Sequence, residues 1–356
     1  MPTPARVVVL PQDESTLRLM DIHLPDPSPF EVVVQQFATG LCHSQLHQIH
    51  SPTPRESALL IGHESTGVVV AKGAQVKHVK EGDRVMTTWL PRDLATADHT
   101  PERTWYTLPD GTVATTGRTF MFTFGDNVIA DEQHVVPLPD DVPTDVTAII
   151  GCPVMTGAGA VRNTAGVQAG QSVAVFGAGG VGLVAIAAAA VIGAAPIIAV
   201  DVAEDKLAFA KRFGATMGVN ATAGDPVEQI HELTNGGVDF AFDCMGATVT
   251  MQQTLAATKY GVWGGARGGT AVLVGVPVAP ADLDMEEMLS GQRTYLGSLG
   301  GSSVPDRDFP LFLEWFREGQ LDLTALVTQR FRLEEINEGF AALARGEILG
   351  RAIIEL

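Results

Sequence analysis

One short stretch constrains the fold of this chain more than any other, the run GAGGVG at residues 177–182. It follows an apolar run, Ser172–Phe176, that predicts a β-strand, and it leads into an alanine-rich run, Gly180–Ile192, that predicts a helix. Asp201 comes nineteen residues after the last of these glycines, at the end of the next predicted strand. A glycine-rich turn in this setting predicts a strand–turn–helix unit that binds the pyrophosphate of a dinucleotide.

The glycines and the aspartate of this unit have separate physical roles. Gly177 permits the tight turn, Gly179 lets the backbone approach the pyrophosphate, and Gly182 lets the helix pack closely on the strand. The helix N-terminus offers unpaired N–H groups to phosphate. Asp201 would bond both ribose hydroxyls and repel a 2′-phosphate, and no arginine follows it directly, so we expect NAD rather than NADP. The expected cofactor contacts here are Gly177, Gly179, Gly180, Val181, Gly182, Asp201, Val202 and Lys206.

Strands and helices alternate through the residues after Gly151. Further predicted strands are Met217–Asn220, Val238–Phe242 and Thr270–Val276, and predicted helices are Glu204–Phe213 and Asp225–Gly236. This alternation is typical of an α/β fold with a doubly wound parallel sheet, the Rossmann arrangement. The apolar run Val181–Val200 is about as long as a membrane span, but Gly193 and Pro196 divide it into a helix and a strand, so we predict no membrane insertion.

The first 150 residues are β-rich instead. Their predicted strands are Arg6–Leu10, Phe30–Phe37, Thr66–Ala71, Arg84–Thr88 and His134–Leu138, separated by glycine and proline turns. Residues Leu90–Phe124 show little periodicity and predict a long loop or lobe. At the C-terminal end, Phe309–Glu318 and Leu333–Arg345 predict amphipathic helices, and Gly350–Leu356 predicts a last strand.

Composition and charge narrow the classes of partner. The formal net charge is −18, which repels phosphate backbones and anionic lipid, so we expect neither nucleic acid nor a membrane surface as a partner. Residues Met1–Leu10 lack the basic start and apolar stretch of a signal peptide. The three cysteines, Cys42, Cys152 and Cys244, are few and far apart, which argues against a disulfide framework and indicates a reducing cytoplasm.

Two of the cysteines are candidate metal ligands. Cys42 and Cys152, with His63, would supply two thiolates and one imidazole, which with a water molecule form a catalytic zinc set. Their spacing alone favours a purely structural role, in which the cysteines are buried apolar groups and the histidine is a hydrogen-bonded core residue. The zinc interpretation therefore depends on the rest of the chain.

A family resemblance is carried by ordered matches along the whole chain. They are Gly40–His47 (GLCHSQLH), Gly62–Gly67 (GHESTG), Gly82–Val85 (GDRV), Gly151–Gly157 (GCPVMTG), Val175–Gly182 (VFGAGGVG), Gly236–Phe240 (GGVDF), Val274–Pro277 (VGVP) and Ile336–Phe340 (INEGF). Through them the chain resembles the zinc-containing medium-chain alcohol dehydrogenases. The resemblance implies a β-rich, barrel-like (GroES-like) catalytic domain of residues 1–153 and 299–356, with an NAD-binding Rossmann domain of residues 154–298 inserted into it.

The resemblance also implies a role for individual residues. One catalytic zinc would have the ligands Cys42, His63 and Cys152, with the carboxylate of Glu64 behind it. Ser44 would hydrogen-bond the zinc-bound alcohol, and His47 would pass its proton to solvent; the alternative is that both are ordinary polar residues at a strand end. Further contacts would come from His43 and Arg351 at the pyrophosphate, Thr156 and Val181 near the nicotinamide, Val276 at the cofactor and Trp89 in the substrate pocket.

Two departures from the family pattern affect the expected metal content. Many members bind a second, structural zinc through four cysteines in a lobe, whereas Gly82–Val136 contains no cysteine, so we expect a single zinc and a lobe held in another way. A replacement site built from the histidine and aspartates of the lobe is the alternative. Gln45 stands where the family usually has an aspartate that accepts a hydrogen bond from the ligand histidine. We expect the glutamine to accept that bond without a charge and to weaken zinc binding.

The sequence therefore predicts an NAD-dependent zinc alcohol dehydrogenase that moves a hydride between an alcohol and NAD, or from NADH to an aldehyde or ketone. Two alternatives remain at this point: a zinc-free reductase of enones or quinones from the same superfamily, and a catalytically retired NAD-binding protein. The expected partners are a small alcohol or aldehyde and further copies of the chain, in a dimer or a tetramer.

Overall fold

The structure is a computed structural model that describes residues 2–116 and 120–356 of the chain. The predicted lobe Leu90–Phe124 includes 117–119, which lie outside the described residues. The chain divides into two compact units. Unit 1 comprises Met1–Cys152, Val304–Arg307 and Leu323–Leu356, and unit 2 comprises Pro153–Ser303 and Asp308–Asp322.

The strands of the described residues follow in this order: β1 (Thr3–Leu10), β2 (Arg18–Leu24), β3 (Glu31–Leu41), β4 (Ala58–Leu60), β5 (Glu64–Lys72), β6 (Arg84–Thr88), β7 (Trp105–Thr107), β8 (Val113–Thr115), β9 (Asn127–Asp131), β10 (Val135–Pro137), β11 (Val173–Phe176), β12 (Ile197–Asp201), β13 (Met217–Asn220), β14 (Phe240–Asp243), β15 (Thr270–Leu273), β16 (Thr294–Gly297), β17 (Val327–Arg332) and β18 (Arg351–Glu355). The helices are α1 (His43–Ile49), α2 (Pro153–Gly159), α3 (Gly180–Ile192), α4 (Glu204–Ala210), α5 (Pro226–Thr234), α6 (Thr248–Ala256), α7 (Met285–Ser290), α8 (Pro305–Arg317), α9 (Leu323–Leu326) and α10 (Ile336–Ala344).

Unit 2 is built on a parallel sheet with the strand order β13-β12-β11-β14-β15-β16. β11 is buried along its whole length and leads directly into α3. The apolar run Val181–Val200 becomes part of α3 and then β12, which confirms its predicted division into a helix and a strand. Among the described residues, no helix is long and apolar enough to cross a membrane. The alternation of strands and helices thus gives the predicted doubly wound sheet.

The larger sheet of unit 1 branches at one long strand. Its order is β10-β6-β5-β3-β18-β17, and β9 also pairs with β3. The end of β3 at Glu31–Gln35 pairs with β9, the end at Ala38–Leu41 pairs with β18, and β5 lies along the other side. Because β3 has different neighbours at its two ends, the sheet curls rather than staying flat. A smaller sheet has the order β2-β1-β4-β8-β7.

The C-terminal strand is an interior part of unit 1. β18 lies between β3 and β17, antiparallel to the first and parallel to the second. Its residues Ala352 and Ile354 are buried in a core that also contains Leu41 of β3 and Phe340 of α10. The sheet of unit 1 is therefore closed by residues far from β3 in the sequence.

The division into units differs from the expected domains, 1–153 with 299–356 and 154–298, chiefly at 308–322. These residues group with unit 2. Asp308, for example, is buried and accepts a hydrogen bond from Asn163 at 3.0 Å, with Arg162 3.5 Å away.

Helix α1 was not predicted, and the alternative given for Ser44 and His47 placed them at a strand end. The structure instead begins a helix at His43. Its N-cap is Cys42, which is not one of the residue types that mark a helix start, so the sequence carried no start signal there. Ser44 and His47 are thus helical residues rather than polar residues at a strand end. The predicted loop Leu90–Phe124 likewise contains the short antiparallel pair β7 and β8.

Candidate active site

Three predicted metal ligands come together inside unit 1. Cys42, His63 and Cys152 are 8%, 8% and 7% exposed, and one ligand atom from each lies within 4.8 Å of the other two. The sulfur atoms of Cys42 and Cys152 are 3.8 Å apart. We call this group the thiolate cluster. Cys42 and Cys152 are 110 positions apart in the sequence, and that spacing alone did not require them to meet.

Glycines beside the cluster allow the backbone to approach closely. Gly62, just before His63, has φ +108°, and a Cβ there would lie 2.4 Å from Thr123 Oγ1. A Cβ on Gly40 would lie 2.4 Å from Glu64 Oε1. Both positions are therefore restricted to glycine, the first by its left-handed backbone and the second by the carboxylate beside it.

The two sulfurs share a hydrogen bond that shifts the pKa values of the two thiols in opposite directions. The hydrogen bond with Cys152 holds the pKa of Cys42 well below its usual value, with Arg351 and His63 adding to the effect against burial. The same hydrogen bond, together with burial, raises the pKa of Cys152 well above its usual value. The shared hydrogen bond therefore favours the thiolate form of Cys42 over that of Cys152.

A buried ion pair lies beside the sulfurs. Arg351 Nη2 donates a hydrogen bond to Glu64 Oε1, and the two side chains are 6% and 0% exposed. Burial raises the pKa of Glu64 to about 7, although Arg351 and His63 act in the opposite direction. The second oxygen of Glu64 is buried and has no hydrogen-bond partner among the described residues. The expected contact of Arg351 with the pyrophosphate stays a prediction, while the pairing with Glu64 is a feature the sequence did not reveal.

Gln45 differs from the expected geometry. It was predicted to accept a hydrogen bond from the ligand histidine. In the structure its Oε1 accepts from the backbone N–H of Cys42 at 2.9 Å, and its Nε2, a donor, lies 2.8 Å from His63 Nδ1. The amide oxygen does not face His63, because it already accepts a hydrogen bond at the N-terminus of α1.

The other predicted site residues of unit 1 lie in helix α1 or directly after β6. Ser44 Oγ donates to Cys42 Sγ at 3.3 Å and is half-buried. His47 is exposed three residues later, on the same side of α1, and His43 is exposed at its first position. Trp89 is half-buried and directly follows Thr88, the β6 residue that pairs with Glu64 of β5. All four lie in unit 1 and their functional roles stay predictions.

The thiolate cluster fits a zinc ion. Two sulfurs that each lie about 2.3 Å from one tetrahedral zinc are about 3.8 Å apart, and the sulfurs here have that separation. Two thiolates, an imidazole and an unpartnered carboxylate oxygen are also the donors of a site that a dication would neutralise. The residues present therefore fit the metal that the resemblance implies.

The dinucleotide turn is formed in unit 2 as expected for its glycines. Gly177 has φ +93°, and Gly179 is the N-cap of α3. A Cβ on Gly182 would lie 1.8 Å from Gly177 O, so only glycine lets the helix start this close to the turn. Gly180 and Val181 are the first two residues of α3, and their backbone N–H groups lie at its N-terminus.

Asp201 ties this turn to the loop after β12. Its Oδ2 accepts from Ala178 N at 2.8 Å, and its Oδ1 accepts from Val202 N at 2.8 Å and Ala203 N at 3.1 Å. Oδ2 accepts one of these hydrogen bonds and keeps a further lone pair for a ribose hydroxyl, whereas Oδ1 already accepts two. The remaining predicted cofactor residues of unit 2 are Thr156, which is buried in α2, Lys206, which is half-buried in α4, and the exposed Val202 and Val276.

A second group of potential ligands lies in the lobe of unit 1. It consists of Asp98, His99 and Glu132, and with Asp131 we call it the lobe cluster. His99 Nδ1 is 3.0 Å from Asp98 Oδ1, and His99 Nε2 is 2.8 Å from Asp131 Oδ2. Both ring nitrogens therefore face carboxylates at hydrogen-bonding distance, as in an ion pair. The expected group of lobe residues included His99, the histidine of Leu90–Phe124, but not Asp131, which is 32 residues away.

Comparison with known proteins agrees with both sites. Residues 28–140 match the family model of the alcohol dehydrogenase GroES-like domain, and residues 180–318 match that of zinc-binding dehydrogenases. The chain is 32% identical to alcohol dehydrogenase class-3 of Cereibacter sphaeroides and 31% identical to S-(hydroxymethyl)glutathione dehydrogenase of Paracoccus denitrificans, with 98% of this chain and 99% of each relative covered. Benzyl alcohol dehydrogenase of Acinetobacter calcoaceticus has a similar structure, with a TM-score of 0.88, 29% identity and 99% of both chains covered.

A buried thiolate–imidazole site in one unit and a dinucleotide turn on a parallel sheet in the other define a metal-dependent oxidoreductase that uses a dinucleotide. The predicted pairing of a GroES-like domain with a Rossmann domain is confirmed. The chain belongs to the zinc-containing medium-chain alcohol dehydrogenases, which transfer a hydride between an alcohol and a nicotinamide dinucleotide. The zinc-free reductase and the retired protein are not favoured, because the three zinc donors are present and converge.

Proposed function

We propose that this protein is an NAD-dependent dehydrogenase of primary alcohols, working in reverse as an aldehyde reductase, with a single zinc ion. The observation that carries the proposal is the convergence of Cys42, His63 and Cys152 at zinc-like separation. The relatives with matching length are alcohol and S-(hydroxymethyl)glutathione dehydrogenases, which supports a primary hydroxyl as the reacting group. We place the protein in the cytoplasm, because its three cysteines are unpaired and free thiols persist in a reducing compartment.

The side chains of α1 would move the substrate proton. When bound, zinc supplies a Lewis acid that makes a hydroxyl in the site much more acidic. Ser44 Oγ, beside Cys42 Sγ, would hydrogen-bond the substrate hydroxyl and accept its proton while passing on its own. His47 is exposed on the same side of the helix and would deliver that proton to water, since imidazole both takes and gives a proton near neutral pH.

The composition of the lobe supports the proposal of one zinc per chain. Its stretch Gly82–Val136 has no cysteine, and the ring of His99 is held by carboxylates on both sides. Elemental analysis of the purified protein, together with NAD and NADP reduction over a panel of alcohols, tests the proposal. We expect one zinc and turnover of primary alcohols. Turnover by metal-free protein would contradict the role of zinc in the reaction. Zinc-loaded protein that turns over no alcohol or aldehyde would contradict the proposal that the protein is a dehydrogenase.

Asp201 would select NAD. A 2′-phosphate placed against its carboxylate would meet a like charge, and the residues that follow directly, Val202 and Ala203, carry no compensating cation. Asp201→Ala should relax the NAD preference about tenfold or more in kcat/KM. Asp201→Asn is the matched control, since it retains an oxygen for the backbone N–H groups but removes the charge. If neither variant uses NADP better than the wild type, the carboxylate does not make the selection.

We also propose that the chain forms a dimer or a tetramer through unit 2. Large apolar side chains are exposed there, with Trp263 at 86%, Leu289 at 82% and Leu299 at 77%. β16, at the edge of the parallel sheet, has β15 as its one strand neighbour among the described residues. Exposed large apolar side chains and a sheet edge without a second strand neighbour among the described residues are both typical of association surfaces. Leu289→Glu should shift the mass measured by light scattering toward the monomer, and an unchanged oligomer would place the interface elsewhere.

A further inference from the structure

Gln45 links two of the metal ligands and is completely buried. It is the third residue of α1, and its side chain turns back across the N-terminus of the helix. Its Oε1 accepts a hydrogen bond from the backbone N–H of Cys42 at 2.9 Å, and its Nε2 lies 2.8 Å from Nδ1 of His63. A single amide thus connects the backbone of one ligand to the ring of another.

The direction of both bonds is fixed by chemistry. A backbone N–H only donates, so the oxygen of the Gln45 amide must face Cys42. The amide nitrogen that then faces His63 carries only hydrogens, so Nδ1 of His63 must accept. A neutral imidazole that accepts at Nδ1 carries its proton on Nε2. Nε2 is also the nitrogen left to bind a metal, because Nδ1 is occupied by Gln45.

We propose that Gln45 is a positioning residue that holds the metal-free site in the tautomer of His63 that cannot bind zinc. This inference rests on the assignment of the thiolate cluster as the zinc site. For zinc to bind, the proton must leave Nε2 and another must enter Nδ1, so that two donors then face each other at His63. Rotating the amide would relieve that contact but would turn its NH2 group toward the N–H of Cys42.

The consequence is a weakened metal site. In either orientation of the Gln45 amide, one buried donor of the zinc-loaded protein lacks an acceptor, which disfavours the loaded state. A residue with two acceptor oxygens would have no such conflict. The structure thus assigns to Gln45 a lower zinc affinity and an easier release of the metal than a carboxylate at the same position would give.

The variant Gln45→Glu tests this directly, because it keeps the reach of the side chain and offers one oxygen to Cys42 N–H and one to a protonated Nδ1. We expect the dissociation constant for zinc, measured on apoprotein by competition with a chromophoric chelator, to fall about ten- to hundredfold. Gln48→Glu is the matched control, since Gln48 is exposed on the same helix and gains the same charge without contacting Nδ1 of His63. It should change the constant by less than about threefold.

Nitrogen-15 NMR of histidine-labelled apoprotein reads the tautomer itself. We expect Nδ1 of His63 without a proton in the wild type and with one in Gln45→Glu. A wild-type spectrum with the proton on Nδ1 overturns the proposal, and this measurement needs no variant to fold. Equal zinc affinities for Gln45→Glu, Gln48→Glu and the wild type overturn it as well.

Cobalt(II) binding separates the failure of this proposal from the failure of the metal site. A thiolate-to-cobalt absorption band in the wild type, with an unchanged affinity in Gln45→Glu, contradicts only the role of Gln45. If the wild type gives no thiolate band at saturating cobalt, the thiolate cluster is not the metal site, and the proposed function fails with it.

Discussion

Unit 1 contains two groups of potential metal ligands that balance their charges in opposite ways. In the thiolate cluster, two sulfurs and the carboxylate of Glu64 face a single guanidinium, that of Arg351, in a buried place. In the lobe cluster, the one imidazole of His99 has a carboxylate at each ring nitrogen. In the first group the excess negative charge is buried, whereas in the second Asp98 is exposed and water solvates its charge. Uncompensated buried charge, rather than the number of ligands within reach, therefore distinguishes a metal site from an ion pair.

The lobe cluster also explains how a cysteine-free lobe can be ordered. His99 stacks on Phe30, with ring centroids 3.9 Å apart and planes 13° from parallel. Its backbone carbonyl accepts a hydrogen bond from Gln133 Nε2 at 2.6 Å. Nearby, Arg92 makes a two-pronged ion pair with Asp306, with Nε 3.0 Å from each carboxylate oxygen. These contacts connect the lobe to the residue before β3, to the turn after β9 and to the first turn of α8.

The largest expected effect is the loss of metal from the thiolate cluster. Cys42→Ala should abolish zinc binding and lower kcat by about a thousandfold or more, because the Lewis acid is worth several kcal/mol of barrier. Binding of NAD, measured by calorimetry, should remain. Cys244→Ala is the control, since Cys244 lies in unit 2 after β14 and outside the cluster. A zinc-loaded Cys42→Ala protein would contradict the ligand set.

A smaller effect is expected for the buried ion pair beside the sulfurs. Arg351→Met should lower the free energy of unfolding by about 3 kcal/mol, because it leaves the carboxylate of Glu64 buried without a cation. The half-buried pair in the lobe provides the contrast, and Arg92→Met should cost about 1 kcal/mol or less. Denaturant titration measures both. Equal losses would show that burial does not separate the two regions energetically.

The smallest effect concerns the charge on His99. Burial acts against it, but the hydrogen bonds to Asp98 and Asp131 outweigh burial and raise the pKa of His99. Because the folded value lies above the unfolded one, near 6.5, the stabilisation is complete below that pH and is lost as the pH rises through the folded pKa. As the pH rises from below 6.5 through the folded pKa of His99, the free energy of unfolding should therefore fall by about 1 kcal/mol more in the wild type than in His99→Gln. If the free energy of unfolding has the same pH dependence in the wild type and in His99→Gln, the charge on His99 does not stabilise the lobe.

Local patterns were enough to predict much of the fold. The apolar runs Ser172–Phe176 and Ile197–Asp201 became β11 and β12, and Asp225 caps α5 through a bond from Val227 N at 2.8 Å, with Pro226 at the first helical position. These elements are set by residues close in sequence. Helix α6 was missed for the opposite reason, since Ala247 at its N-cap gives no start signal.

The candidate site was predictable in its ligands but not in its surroundings. The residues Cys42, His63 and Cys152 came from motifs, whereas the pairing of Arg351 with Glu64 joins positions 287 apart. Such a contact depends on the register of β18 against β3, which no local pattern contains. The direction of the Gln45 amide was also unavailable, because it depends on where the backbone N–H of Cys42 points.

The interior position of β18 has a consequence for the order in which the molecule assembles. The strands of the parallel sheet, β11 to β16, all lie between Val173 and Gly297, so this sheet can form once that stretch has been synthesised. The large sheet of unit 1 lacks a middle strand, and Glu64 lacks its guanidinium, until residues 351–355 have emerged. We therefore expect unit 2 to reach its native state first, with the N-terminal half of unit 1 waiting for its last strand.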